Sequence, residues 1–262
     1  MTLSGKMQGQ QGFSLLELLA AAVIFLILCG AAFGLLDVSQ KSYRNEAQVL
    51  NTFQDARFGL DQIVRDVNDS GFPPLNHFSV TPAANLYAVT PVAWAPSYPG
   101  SPCTVGGSCT TPGDFDLIVE ANIDPQNDSD VEWVRYQLQG TTLYRGVASK
   151  VPGADPDATT ALTLIPYVQN VMNNASATQI AQFQAVYPSM FPGSQPVPIF
   201  SYTCDSPTGP QLCSSLGSGN SPVNIRDVQV TLIVMAPLPD AQTGQARLVQ
   251  LNGSGHRVNP NQ

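Results

Sequence analysis

Residues 13–36 read FSLLELLAAAVIFLILCGAAFGLL, a run with one charge, Glu17, and no proline. At about 1.5 Å per residue, 24 residues of helix span the ~30 Å hydrocarbon core of a bilayer. The run is apolar on all sides rather than striped, which is what lipid on every side demands. One transmembrane helix is the reading. Lys6 is the only charge ahead of it, so the positive-inside bias puts the short N-terminal piece in the cytoplasm and everything after residue 36 outside it. A secretory signal cleaved near Gly30-Ala31-Ala32 is the competing reading. Glu17 counts against it, because a carboxylate inside an apolar span costs a few kcal/mol on insertion scales and is by default a functional group with a partner. Cys29 reads as a small apolar residue of the helix.

The pattern does not stop at the membrane. From Asp37 to Ser70 there is no proline and one internal glycine, Gly59. Leu50, Phe53, Leu60, Val64 and Val67 recur at helical spacing and form an amphipathic stripe. A continuous helix over 13–70 would be roughly 87 Å long, its first half an anchor and its second half burying one stripe. Gly71 stands at the C-cap position, and Phe72-Pro73-Pro74 prevents continuation.

After residue 74 the composition shifts to Pro, Ser, Thr, Gly and Asn, and apolar residues alternate in short runs. Phe115, Leu117 and Val119 share one face of an expected strand, as do Val134, Tyr136 and Leu138. Gly140-Thr141-Thr142 then signals a hairpin into Leu143-Tyr144-Arg145. The cleanest strand is IRDVQVTLIVM, with Val228, Val230, Leu232 and Val234 on one face. The fold class expected is α+β: a long N-terminal helix, membrane-spanning in its first half and amphipathic in its second, packed on an antiparallel sheet of four or more strands with long loops. The region between TALTLIPYVQNV and PIFSYTCD reads as a loop-rich insertion without assigned structure.

Charge narrows the function classes. The chain has 262 residues, 19 acids and 11 bases, for a net charge of −8. No Lys or Arg lies between Arg65 and Arg135, whereas nine acids do, so nucleic-acid binding is not indicated. His77 and His256 are the only histidines, and neither accompanies a nucleophile elbow or a Walker loop. His256 reads as part of a solvated polar tail, LNGSGHRVNPNQ. The Asp124 to Asp130 cluster lacks the glycine and distal glutamate of an EF-hand loop and reads as a polar turn rather than a calcium site. The remaining acids read as a solvated surface. No enzyme activity, cofactor or metal is expected.

Just before the apolar run stands Gly12-Phe13-Ser14-Leu15-Leu16-Glu17, behind a polar leader containing Lys6. This resembles the type IV prepilin signal. The resemblance implies a leader over 1–12, cut by a prepilin peptidase between Gly12 and Phe13, with methylation of the new amine on Phe13. It gives Glu17 the role of docking the helix by pairing with the N-terminal amine of a neighbouring subunit. Glycine at the cut suits a protease that needs extended, side-chain-free backbone. The implied layout is a filament-core helix over 13–36, an amphipathic continuation over 37–71 and an extracytoplasmic β-rich head over 72–262. The combination of WVRYQL at 133–138, Gly140 and LYR at 143–145, followed by Asn170-Val171 and the aromatic FSY at 200–202, is further similar to large minor pilins of the PilW type and to J-type pseudopilins of type II secretion. The implied function is that of a minor pilin or pseudopilin that helps to initiate or cap filament assembly. Its partners would be the prepilin peptidase, other major and minor pilins or pseudopilins, and the inner membrane before assembly. Its final place would be a pilus or a periplasmic pseudopilus. The alternative is a membrane-tethered extracytoplasmic binding domain or enzyme unrelated to filaments.

Four cysteines lie beyond the anchor: Cys103, Cys109, Cys204 and Cys213. An even number in an extracytoplasmic head argues for disulfides. Three pairings are possible on paper, and two local loops, Cys103 with Cys109 and Cys204 with Cys213, are the simplest. Zinc is the weaker reading, because neither spacing is of the short paired type and neither histidine lies nearby.

Overall fold

The computed structural model of the chain describes residues 14–88, 92–94, 113–126, 130–150, 163–215, 224–240 and 243–258. The chain divides into two compact units, Met1–Ala47 and Gln48–Gln262. Helix α1, Leu15–Asp69, supplies 55 residues to them.

In the first unit the helix has no core of its own. Leu15, Phe25, Leu28, Phe33 and Leu36 are each more than half exposed, at 82%, 65%, 63%, 70% and 54%. A soluble helix hides such residues. This one is long and apolar enough to cross a membrane, as the sequence pattern requires.

In the second unit the part of α1 from Gln48 onward packs on two antiparallel sheets. The first contains β1 (Val92–Trp94), β2 (Asp116–Ala121), β3 (Glu132–Gln139), β4 (Thr142–Ser149) and β5 (Ile165–Val168), in that spatial order. The second runs β7 (Gln211–Leu212), β6 (Phe200–Cys204), β8 (Ile225–Met235), β9 (Leu248–His256). Ala56, Leu60, Ile63 and Val67 of α1 share one core with Val119, Val134, Tyr136 and Leu143 of the first sheet and Val228, Val230, Leu232 and Val234 of the second. The expected faces of these strands therefore meet the core, although β2 is buried at all six residues, and two sheets replace the single one expected.

The helical stripe is rotated from its expected course. Leu50 is 58% exposed, while Ile63 is fully buried. Leu50 lies about 80° around the helix from Leu60 at 3.6 residues per turn, so a stripe centred on Ala56, Leu60, Ile63 and Val67 turns it outward. The helix ends as expected: Gly71 adopts φ 82°, left-handed backbone that glycine takes without penalty, and its N–H donates to Glu120 O at 2.8 Å.

The chain after β5 links the two sheets. Val171 N–H donates to Thr141 O at 2.8 Å, Met172 N–H to Ile233 O at 2.7 Å, and Met235 N–H to Asn170 O at 2.9 Å. The buried Asn173 side chain extends the ladder: its Nδ2 donates to Val197 O and Thr231 O, and its Oδ1 accepts from Ile233 N–H at 2.8 Å. Helix α2, Ala177–Val186, then forms where no structure was assigned. Ser176 and Gln179 make a capping box, the local signal that would have revealed it. Ile180 and Phe183 of α2 pack with Phe191 on Ile233 and Leu248. The C-terminal half of β8 is thereby covered on both faces.

LNGSGH is a strand, not part of a solvated tail. Leu248–His256 pairs with Met235–Asp227 in unbroken antiparallel register. Its two glycines are the reason. A methyl on Gly255 would stand 2.5 Å from Val67 Cγ1, and one on Gly253 2.8 Å from Val64 Cγ2, so glycine lets α1 lie directly on the strand. Gly59 plays the converse part, since a methyl there would strike Val168 of β5.

Candidate functional site

The N-terminal motif enters the described residues at Ser14. Ser14 N–H and Oγ–H both donate to Glu17 Oε2, at 3.0 and 3.2 Å, and Glu17 N–H donates to Ser14 Oγ at 3.2 Å. This reciprocal pair is a capping box, which satisfies donors that the first helical turn would otherwise leave open. The carboxylate stands at the positive end of the helix macrodipole. Both residues are exposed, so a cation can approach the carboxylate from outside the chain. The role of Ser14 was missed in the sequence, although Ser-x-x-Glu before an apolar run is its signature. Gly12 and Phe13, the expected cleavage and methylation positions, lie outside the described residues.

Cys204 and Cys213 are joined, with Cα atoms 4.9 Å apart. The bridge ties the end of β6 to the residue after β7. Cys103 and Cys109 lie outside the described residues, as do residues 127–129 of the acidic cluster. Asp130 accepts from Asn85 Nδ2 at 3.0 Å, and the Asn122 side chain accepts from Asp124 N–H at 3.1 Å.

Not all other acids are a solvated surface: Asp66, Asp116, Glu120 and Glu132 are buried. Asp66 comes from α1. Its Oδ2 accepts from Tyr136 O–H at 2.5 Å and Arg145 Nη2 at 3.0 Å, and its Oδ1 from Gln62 Nε2 at 2.6 Å. Arg145 Nε also donates to Tyr136 Oη at 3.0 Å. Burial and the Asp66 charge push the Tyr136 phenol far above its usual range, so the phenol keeps its proton and donates. Three elements, α1, β3 and β4, thus meet at one carboxylate. Asp116 is gripped by Arg135 through Nε at 2.9 Å and Nη2 at 2.5 Å, and by Gln137 Nε2 at 2.7 Å. Glu120 pairs with Lys150. Arg135 and Lys150 are buried and Arg145 partly so, and pairing spares acid and base alike the several kcal/mol that an unpaired charge in a core would cost. Sequence spacing could not reveal them, because their partners lie 30, 19 and 79 residues away.

His77 packs edge-on against Phe72 and Phe78, with ring centroids 5.7 and 5.3 Å apart. His256 Nδ1 lies 2.5 Å from Asp227 Oδ1 on an exposed face of β8 and β9.

The geometry therefore concentrates interaction chemistry at the N-terminus: an exposed apolar helix headed by a capped, accessible carboxylate. A family model for the prokaryotic N-terminal methylation motif matches residues 7–33. That match covers Gly12, Phe13, Ser14, Glu17 and most of the apolar run, and with the α+β fold it supports a type IV pilin-like protein anchored in a membrane. No curated protein and no solved structure matches the chain.

Proposed function

We infer that the chain is a minor pilin or pseudopilin, a structural subunit that helps to initiate or cap assembly of a type IV pilus or type II secretion pseudopilus. The observation that carries this reading is the methylation motif at the head of a helix whose large apolar side chains are exposed from Leu15 to Leu36. Such a helix needs a bilayer first and a bundle of like helices afterwards. A prepilin peptidase cuts after Gly12, the amine of Phe13 is methylated, and the head stays outside the cytoplasm. On leaving the membrane, the helix exchanges lipid for other pilin or pseudopilin helices. Glu17 is the docking group: a carboxylate entering an apolar bundle must acquire a counter-charge, and a neighbouring subunit's N-terminal amine supplies it. The head is a contact surface rather than an enzyme.

Mass spectrometry of the mature N-terminus tests the reading. Methylated Phe13 is the expected result, whereas an intact Met1 or a terminus near Ala32 would sink it in favour of a tethered domain. Glu17→Ala should be processed normally yet fail to enter filaments. Normal incorporation would remove Glu17 from the mechanism.

A further inference from the structure

A cleft of about 400 Å³ lies between α1 and the chain from β5 onward, wholly within the second unit. Its volume falls at the small end of those that hold small ligands. Ala56 and Gly59 of α1 and Val168 of β5 make its apolar part. Gly59 brings the strand so close, because a methyl there would strike Val168. The far wall is fixed as well. Asn170 holds φ 58°, left-handed backbone that persists in an L-residue only where its surroundings determine it. Its C=O accepts from Met235 N–H at 2.9 Å, and Val171 N–H donates to Thr141 O at 2.8 Å.

The polar groups of the cleft share one character. Asp55 lines it and has no hydrogen bond or ion pair among the described residues. The helix denies this carboxylate a counter-charge: its neighbours three and four positions away, Asn51, Thr52, Phe58 and Gly59, are all uncharged. Thr52 Oγ1 already donates to Gln48 O at 2.9 Å, so toward the cleft that hydroxyl only accepts. The side chains of Gln169 and Asn170 have no partner among the described residues, and each can turn a carbonyl oxygen inward. The cleft thus offers a carboxylate, a hydroxyl oxygen and amide carbonyls. It holds no cation among the described residues.

Aromatic surface stands beside these acceptors, from Phe58, 71% exposed, and the partly buried Tyr167. Burial and Asp66 raise the Tyr167 phenol above its usual value, and Arg145 and Arg65 hold it back. Neither arginine lines the cleft, and Arg145 is committed to Asp66 at 3.0 Å.

We propose that this cleft binds a guanidinium group on a short apolar stem, as in an arginine side chain or a free alkylguanidine. A guanidinium has five N–H donors and no acceptor, which matches a cleft lined by acceptors with one unpaired carboxylate. Its flat face stacks on aromatic rings, and it is more weakly hydrated than an ammonium, which favours it where part of the lining is apolar. The site uses neither Phe13 nor Glu17, so its test is independent of the filament reading.

The test is a titration of the isotope-labelled full-length chain in detergent with ethylguanidinium, read from the backbone amides of Gly59, Gln169 and Asn170. Saturable shifts at millimolar concentration are expected there, with the amides of β8 unmoved. Ethylurea has the same flat shape without the charge and should bind at least about 10-fold more weakly. Asp55→Asn keeps the size of the side chain and should weaken ethylguanidinium by a similar factor, whereas Phe58→Ala should cost about 3-fold. Both side chains are exposed, and β8 amides at their parent positions show that each variant is folded. A blocked Gly-Arg-Gly tripeptide separates the sources: tighter binding than ethylguanidinium assigns the cleft to an arginine of another chain, and weaker binding to a small free guanidine. Absence of saturable shifts, equal binding of ethylurea, or undiminished binding by Asp55→Asn would overturn the proposal.

Discussion

Helix α1 carries an acid near each end: Glu17, exposed among exposed leucines, and Asp66, 2% exposed among residues of the head core. Glu17 takes its hydrogen bonds from a residue three positions away. Asp66 takes two of its own from residues 70 and 79 positions away. The first arrangement exists as soon as one helical turn forms. The second exists only when the head is folded. A carboxylate in apolar surroundings is tolerable when donors surround it, and the two ends show that those donors come from the local turn or from the tertiary fold. For Glu17 the local turn supplies donors but no cation, and in the proposed filament the cation comes from another chain.

The contrast can be broken at Asp66 first. Asp66→Ala leaves Arg145 and Tyr136 without their acceptor and should destabilise the head by about 3–5 kcal/mol, read by urea unfolding of the full chain in detergent. Asp66→Asn should cost less. A loss of under about 1 kcal/mol for Asp66→Ala would mean that the cluster is not a tertiary tie.

Opening the Cys204–Cys213 bridge in a double serine variant should cost about 2–3 kcal/mol, the loop-entropy contribution for so short a loop. Gly255→Ala forces a methyl against Val67 where α1 meets β9, and overpacking of this kind costs about 1–3 kcal/mol. Both losses belong to the head alone, and neither should change the proposed processing at Gly12.

A pH-dependent effect is expected at Asp116. Burial pushes its carboxyl up from the usual value, outweighing the Arg135 guanidinium and the Gln137 amide, which pull it down. The folded chain then holds this proton at pH values where the unfolded chain has released it. The stability tied to Asp116 is therefore complete below the ordinary carboxylate pKa and is lost as pH rises through the raised value. Unfolding of the parent and of Asp116→Asn, followed from about pH 7 to about pH 3, should show the parent gaining relative to the variant on acidification. An opposite slope would show that Arg135 outweighs burial. Glu17→Ala should have the smallest effect on the head: the cap it removes is worth about 1 kcal/mol at its own helix end, and head unfolding should not move.

Much of the fold was legible wherever one periodicity ran uninterrupted. The apolar run over 13–36, the C-cap at Gly71 and the alternations in β2, β3 and β8 all carry their own partners in spacing. Three features were not legible, each for a physical reason. Leu50 matches the helical repeat but lies off the contact face, because which side of a helix meets a sheet depends on the sheet. LNGSGH looks like a solvated tail, because glycines that admit a helix at close range read as flexibility when the helix is unseen. Asp66, Asp116 and Glu120 look like surface acids, because a buried pair is recognised only through its second member.

The sequence by itself determined the anchor, the methylation motif, the acid within it and the α+β class, since each rests on interactions inside one turn, one strand or one span. The tertiary structure alone decided which acids are buried and where α1 touches the sheets. Those depend on the closeness of segments far apart in the chain, and the pattern of one segment carries no record of what another brings to it.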